Sequence, residues 1–258
     1  MIVKIISLKK AFERREHIRK QFVKLRLSYE FLDAIDPKSC SKDILKIFSS
    51  SKFKSLYHRL PTAGEIGASI SHDLVRKKFL QAKDQKILLV LEDDAKIMCT
   101  REELISAVNI FQKSKFDILI LGFSKCDDDF ERHINIINPI LPTFKVKNKI
   151  SIGERYLHTC SGTIGYVVKK KSAEKMSNIS TLFVLSDDWN YFSKLGLKIA
   201  YTNPMIVSEN IKEFFSYAEH KNISQASYKD DRIWMMFLIY CRKHIYGKLR
   251  KLLLYLKF

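Results

Sequence analysis

The sequence has no Cys-x-x-Cys pair, no His-Glu-x-x-His and no paired-histidine spacing. Zinc ribbons, redox dithiols and zinc peptidases are therefore not indicated. It also lacks Gly-x-x-x-x-Gly-Lys-(Ser/Thr) and Gly-x-Gly-x-x-Gly, the phosphate-cradling loops of P-loop and dinucleotide-binding proteins. Gly-x-Ser-x-Gly is missing, which leaves a serine hydrolase unsupported. The apolar run in the opening Met1–Lys10 is too short for a secretory signal, and no stretch reaches the length of a spanning helix. The five cysteines, Cys40, Cys99, Cys126, Cys160 and Cys241, are odd in number and widely spaced. They read as reduced thiols of a cytosolic protein rather than a disulfide scaffold. Acids are scarce relative to bases: 28 Asp+Glu against 46 Lys+Arg give a net charge of +18 over 258 residues. The 46% hydrophobic fraction excludes a disordered chain and supports a substantial core in one large domain or two small ones. The excess charge calls for an anionic partner: nucleic acid, an anionic membrane or a phosphorylated substrate.

Strand-like and helix-like segments alternate. Ile2–Ser7 reads as a strand, followed by a basic amphipathic helix over Phe12–Leu27 and a short strand ending at Asp33. Residues 36–60 are polar and read as a loop with at most one short helix. Thr62 with Glu65, and Thr100 with Glu103, are capping boxes that start helices reaching Ala82 and Phe111. Lys86–Leu91 and Phe116–Leu121 are continuous apolar runs suited to buried strands. Residues 123–160 read as a long irregular, functional connection. Thr163–Val168 predicts a strand, Ser172–Ser177 a helix, and Asp187–Leu195 a helix stopped by Gly196. Short strands follow at Lys198–Tyr201 and Met205–Val207. The alternation predicts an α/β fold with a parallel or mixed central sheet.

Two acidic sites stand out. Glu92-Asp93-Asp94 follows a buried strand directly, where α/β sheets bind ligands. Three adjacent carboxylates repel unless protons or a cation neutralise them, and Mg²⁺ or Mn²⁺ takes such oxygen ligands. In an extended segment Glu92 and Asp94 would share one side and Asp93 the other. The competing reading is a solvated acidic turn capping the next helix. Asp187-Asp188-Trp189 is the second site. One aspartate is explained as a helix cap, and the other is left for chemistry such as a general base near a sugar. Ser161–Tyr166 is a small-residue segment that would let a ligand approach the backbone, or else a tight turn into a packed strand. His72 lies in the helix after Thr62, and His220 in a polar stretch near the end. A lone histidine is more often structural.

Five segments together resemble glycosyltransferase family 25. They are Ile6-Ser7-Leu8 with Glu13-Arg14-Arg15, Phe31-Leu32-Asp33-Ala34, Leu60–His72 with its Gly64-Glu65-Ile66-Gly67, Leu89–Ala95 with Glu92-Asp93-Asp94, and Gly162–Val168 with Ser172-Ala173. Order and spacing agree over roughly residues 1–210. Ala68 stands where the family has cysteine, Lys10 and Ala11 depart from arginine-rich positions, and the chain beyond Asn210 matches poorly. The resemblance implies a GT-A-type fold with a central mixed sheet flanked by helices. It implies a nucleotide-sugar donor, usually UDP-linked, a divalent cation (Mn²⁺ or Mg²⁺) and inversion at the anomeric carbon. It points to lipopolysaccharide or lipooligosaccharide acceptors and to galactose as the sugar. On this footing Asp94 would hold the metal, with Glu92 beside it and His220 completing the contacts. Ser7, Leu8, Arg14 and Asp33 would frame the nucleotide, with Glu65 and Asp93 in the same donor-side set. Gly162 and Thr163 would line the sugar or acceptor side, and Asp188, or alternatively Asp187, would take the acceptor proton.

Two other classes compete: a metal-dependent nucleic-acid-processing enzyme and a non-catalytic glycan-binding module. No nucleic-acid motif appears, and both acidic sites are intact. The charge is concentrated at the chain ends. Nine Lys/Arg against two acids fall in the first 28 residues, and seven against none after Asp231. This divides the chain into a catalytic domain, 1–231, and a basic amphipathic tail, 232–258, a candidate membrane-associating helix. The expectation is a cytoplasmic protein, peripheral on the inner membrane and acting on a lipid-linked oligosaccharide, with no nucleic-acid partner.

Overall fold

A computed structural model of the chain describes residues 1–124, 131, 134–135, 138–155, 158, 162–178, 181–210, 213–214, 245 and 247–256. Strands β1 (Ile2–Ser7), β2 (Glu30–Asp33) and β3 (Ile87–Glu92) are joined by helices α1 (Phe12–Leu25), α2 (Lys42–Leu45), α3 (Ser50–Tyr57) and α4 (Ala63–Gln81). Then follow β4 (Ala95–Ile97), α5 (Arg101–Lys113), β5 (Ile118–Gly122), β6 (Ile140–Lys145), β7 (Ser151–Arg155) and β8 (Gly165–Lys169). The last elements are α6 (Lys170–Ser177), α7 (Trp189–Lys194), β9 (Ile199–Asn203) and β10 (Val207–Glu209). Eight strands form one sheet in the order β2-β1-β3-β8-β5-β9-β7-β6, and β10 pairs with β4 in a separate ribbon. The sheet is mixed: β1 runs parallel to β2 and β3, whereas β8 is antiparallel to both its neighbours.

The layers follow from residue alternation. Along β3, Leu88 and Val90 pack with Val75 and Phe79 of α4 and with Ala173 and Met176 of α6. Ile87, Leu89 and Leu91 point the other way, onto Ile18 and Phe22 of α1 and Leu104, Val108 and Phe111 of α5. A sheet covered on both faces needs continuous apolar strands, which is why β3 and β5 read as unbroken hydrophobic runs. The fold is α/β, a central mixed sheet flanked by helices. Both capping boxes form: the Thr62 and Thr100 hydroxyls accept the N3 backbone N–H groups, and the Glu65 and Glu103 carboxylates reach back to the cap N–H groups.

Three expectations need correction. Residues 36–60 hold two helices, α2 and α3, the second capped by the Ser49 side chain. Residues 123–160 are not wholly irregular, since β6 and β7 pair as an antiparallel hairpin. Pro142 breaks the pattern in the sequence, but β6 is the edge strand, where a proline costs no ladder bond. The acidic triplet is not one extended segment. Only Glu92 belongs to β3, and Asp93-Asp94 form the turn into β4, so period-two alternation stops at Glu92. The expected domain boundary at 231/232 lies outside the described residues. Within the tail, residues 247–255 are helical. Ile245, Leu249, Leu252, Leu253, Tyr255 and Leu256 are exposed there, and Leu254 is buried.

Candidate functional site

β2 lies on one side of β1, and the next strand of the sheet, β3, lies on the other, so the strand order reverses at β1. A crevice opens at such a switch point, outside the carboxyl ends of the strands. It holds a cleft of about 260 Å³. Its walls are the ends of β1 and β3, the loop after β2 and the first turns of α4. Ser7, Leu8, Arg14, Glu92, Asp93 and Asp94 line it, together with His72, Lys10 and Lys38. Gly67 lets α4 close onto the loop after β2, because a Cβ there would lie 2.7 Å from the Ile35 carbonyl oxygen.

At one end the charges are carboxylates. Arg14, 6% exposed, donates from one terminal nitrogen to Asp93 Oδ1 at 3.0 Å and to Asp94 Oδ2 at 2.8 Å. Asp93 therefore shares a cation with Asp94 instead of facing away. Glu92 is directed elsewhere: its Oε1 accepts the Thr163 hydroxyl and lies 3.6 Å from His72 Nε2. Burial, reinforced by the neighbouring Glu92, raises Asp94 to about 8. Burial likewise raises Glu92 to about 7 against the lowering effect of the Thr163 hydrogen bond, although its side chain keeps an opening to the cleft. Glu209, in register opposite Ala95, adds negative potential to both. No signal in the sequence singled it out. His72 is fully buried, with Nδ1 3.1 Å from the Tyr166 hydroxyl. Burial, helped by the Arg76 charge, lowers it to about 3, so it is neutral throughout the physiological range.

Lys10 and Lys38 also line the cleft, with the Asp36 carboxylate beside them. Lys10 donates to Asp36 at 2.6 Å. Asp33 is not part of the cleft wall: it is 60% exposed and held by Arg15, which also donates to the Ser7 carbonyl at 3.1 Å. Arg15 stands next to Arg14 in the same motif and was the overlooked member. Glu65 also turns away from the cleft. It serves the capping box and forms a bidentate pair with Arg59.

The second acidic site adjoins the first. Asp187 Oδ2 accepts the Gly162 N–H at 2.8 Å, and Trp189 Nε1 donates to the Gly162 carbonyl at 3.3 Å. Gly162 has φ +112°, and a Cβ there would sit 2.3 Å from Ser124. The next residue, Thr163, holds Glu92, so Asp187, Gly162, Thr163 and Glu92 form one continuous chain of contacts. Burial raises the Asp187 carboxyl above its ordinary value. Asp188 is the N-cap of α7, its Oδ1 accepting Tyr191 N–H at 2.8 Å, while its Oδ2 accepts the Tyr57 hydroxyl at 2.7 Å. His220 lies outside the described residues.

The chain matches the family description "Glycosyltransferase family 25 (LPS biosynthesis protein)" over residues 1–190. It belongs to glycosyltransferase family 25. The match takes in the cleft and Asp187-Asp188 alike. Among family-25 and related proteins, the chain is 29% identical over 187 residues to lipooligosaccharide biosynthesis protein lic2B of Haemophilus influenzae, covering 67% of this chain and 61% of that one. It is 26% identical over 215 residues to lipooligosaccharide biosynthesis protein lex-1 of the same species, covering 74% and 69%. It is 25% identical over 185 residues to procollagen galactosyltransferase 1-A of Xenopus laevis, covering 69% and 28%. The chain thus spans under two thirds of the first of these relatives and less than a third of the last. A solved structure of Drosophila β-1,4-galactosyltransferase 7 with manganese, UDP-Gal and xylobiose aligns over 90% of this chain and 80% of that one. Its TM-score is 0.39 and its identity 13%.

The family-25 resemblance implies a divalent cation, and the residues fit one in a specific way. Asp94 Oδ1 is buried with no hydrogen-bond partner, an uncompensated carboxylate oxygen. Among the described residues no group of three or more His, Cys, Asp or Glu side chains forms a complete cage. One or two carboxylates with the remaining positions left to substrate phosphates and water is the habit of Mg²⁺-type cations.

Proposed function

We infer that this family-25 chain is an inverting, metal-dependent glycosyltransferase of GT-A type. It moves a hexose from a UDP-sugar to a lipooligosaccharide or lipopolysaccharide acceptor. The observation that carries this reading is the buried, unpartnered Asp94 Oδ1 in a cleft that Lys10 and Lys38 also line. Cationic and carboxylate walls facing one small cavity suit a diphosphate carried with its metal ion. Asp94 and Glu92 would hold the cation, which when bound neutralises charge growing on the departing diphosphate. Ser7, Leu8 and Arg14 would frame the nucleotide, and Asp93 would act through Arg14. Gly162 and Thr163 stand between the donor cleft and the aspartate pair, on the sugar side. One aspartate of that pair takes the acceptor proton. Galactose is the proposed sugar, on the strength of the relative named a procollagen galactosyltransferase.

The decisive measurement is UDP release from UDP-galactose, UDP-glucose and the UDP-N-acetylhexosamines with Mn²⁺. Release from at least one donor, abolished by EDTA and restored by Mn²⁺, is expected. A folded protein inert toward all of them would refute the reading.

The acceptor is lipid-linked, so the proposed workplace is the cytoplasmic face of the inner membrane. No helix among the described residues is long and apolar enough to cross a membrane. The tail instead combines exposed Leu249, Leu252 and Leu256 with Lys248 and Lys251, a composition suited to lying on anionic lipid. Removing residues 232–258 is expected to abolish co-sedimentation with vesicles containing anionic lipid while the protein stays soluble. Unaltered co-sedimentation would rule out the tail as the anchor.

A further inference from the structure

The two adjacent aspartates are engaged in opposite directions. Asp188 has a donor on each oxygen: the Tyr191 N–H on Oδ1 and the Tyr57 hydroxyl on Oδ2. Tyr57 accepts the Leu185 N–H at 3.2 Å with the same hydroxyl oxygen, so one phenol ties both ends of the segment 185–188. Burial and the Asp188 carboxylate both raise the phenol, which therefore remains a donor. The rest of α3 anchors this tie. Ser49 N–H donates to the Leu182 carbonyl at 2.7 Å, and Phe48, Phe53, Ile70 and Leu182 close into a small apolar cluster. Asp187 is instead linked, through the Gly162 N–H and the Thr163 hydroxyl, to Glu92 on the cleft wall.

We propose that Asp187 is the general base and that Tyr57 is its positioning residue, fastening Asp188 so that only Asp187 faces the reacting centre. This rests on the transferase reading above and assigns roles within the same site. In the step, the acceptor hydroxyl oxygen forms a bond to the anomeric carbon of the donor. The bond from that carbon to the diphosphate oxygen breaks, and its electron pair leaves with the diphosphate. The hydroxyl proton passes to the Asp187 carboxylate. Asp188, with a donor on each oxygen, works as a cap and latch.

The test uses the full chain, Mn²⁺ and the UDP-sugar that the wild-type protein turns over fastest. Asp187→Asn is expected to lower kcat by about 10²–10⁴-fold with donor KM and thermal midpoint nearly unchanged. Asp188→Asn keeps a competent cap, and Tyr57→Phe keeps the ring, so both should fold. Each is expected to lower the thermal midpoint and to lower kcat by about tenfold, the worth of one hydrogen bond, without changing donor KM. Tyr57→Phe added to Asp187→Asn should leave the residual kcat unchanged, because the latch then has no base to position. Multiplying losses in that double variant, or full kcat in Tyr57→Phe, would overturn the positioning role. An inactive Asp188→Asn beside an active Asp187→Asn would reverse the assignment. Near-normal turnover in both removes the base reading, and a wild type inert toward every donor removes the transferase reading itself.

Discussion

Asp94→Asn is expected to weaken Mn²⁺-dependent binding of UDP by at least about 100-fold at pH 8, because it neutralises the one carboxylate oxygen that, among the described residues, is buried without a partner. Asparagine has the same shape, so the turn and the Arg14 contact at Oδ2 are expected to survive and the thermal midpoint to change little. The pH dependence provides an internal check. In the cation-free protein Glu92 is raised to about 7 and Asp94 to about 8, both first by burial. Below those values the site carries protons that a cation must displace, so affinity rises with pH. Between pH 6 and 8 each displaced proton contributes up to about tenfold per unit below the pKa of its group, and the contribution fades above it. Wild-type affinity should therefore climb steeply over that window, and the Asp94→Asn slope should be shallower by about one proton. Calorimetry with Mn²⁺ and UDP at three pH values reads both quantities. Equal affinity and equal slope in the two proteins would exclude Asp94 as a cation ligand.

Arg14→Met should be the most destabilising change at the site, costing about 3–5 kcal/mol at pH 8. The guanidinium bridges two carboxylates that are 7% and 5% exposed, and methionine leaves both without a cation in nearly the same volume. The sign of the pH effect follows from linkage. A buried carboxyl whose folded pKa is raised binds more protons folded than unfolded, so stability is lost as pH climbs from the unfolded value through the folded one. Removing Arg14 raises Asp94 further, because the Arg14 charge lowers it at present. The deficit against wild type should thus shrink at pH 6, where the carboxyl is protonated, and grow toward pH 8. Urea unfolding at both values, without metal, gives the comparison. A loss under about 1 kcal/mol at both would show that Arg14 is not what compensates the pair.

Much of this was written into local sequence. The capping boxes at Thr62 and Thr100, the apolar strands before Glu92 and Gly122, and the glycine after α7 are short-range signals, and they appear where their chemistry requires. Glu92 and Asp94 were legible as acids at the end of a buried strand, whereas Ser7 and Arg14 came only with the family resemblance. Other features depend on partners remote in the chain. Tyr57 meets Asp188 across 131 residues, and no periodicity announces such a contact. Asp93 was assigned to the wrong side because strand alternation was extended one residue past the point where β3 turns. Asp33 and Glu65 carry recognisable motif letters, yet their carboxylates are committed to Arg15 and to Arg59 with the Thr62 cap. A motif specifies residue types, and only the packed neighbours decide which of them remain available for a ligand.

The link from Gly162 to Gly165 has a consequence for how the chain tolerates length changes. Glu92 N–H donates to the Ile164 carbonyl, and Leu91 pairs with Gly165, so the register of β8 against β3 decides where the Thr163 hydroxyl falls. One residue inserted or removed between Gly162 and Gly165 would send alternate side chains to the opposite face. The Glu92 contact and the Asp187 contact would then be lost together. Four residues thus act as a ruler between two acidic sites that lie far apart in the chain, and their number is more tightly constrained than their composition.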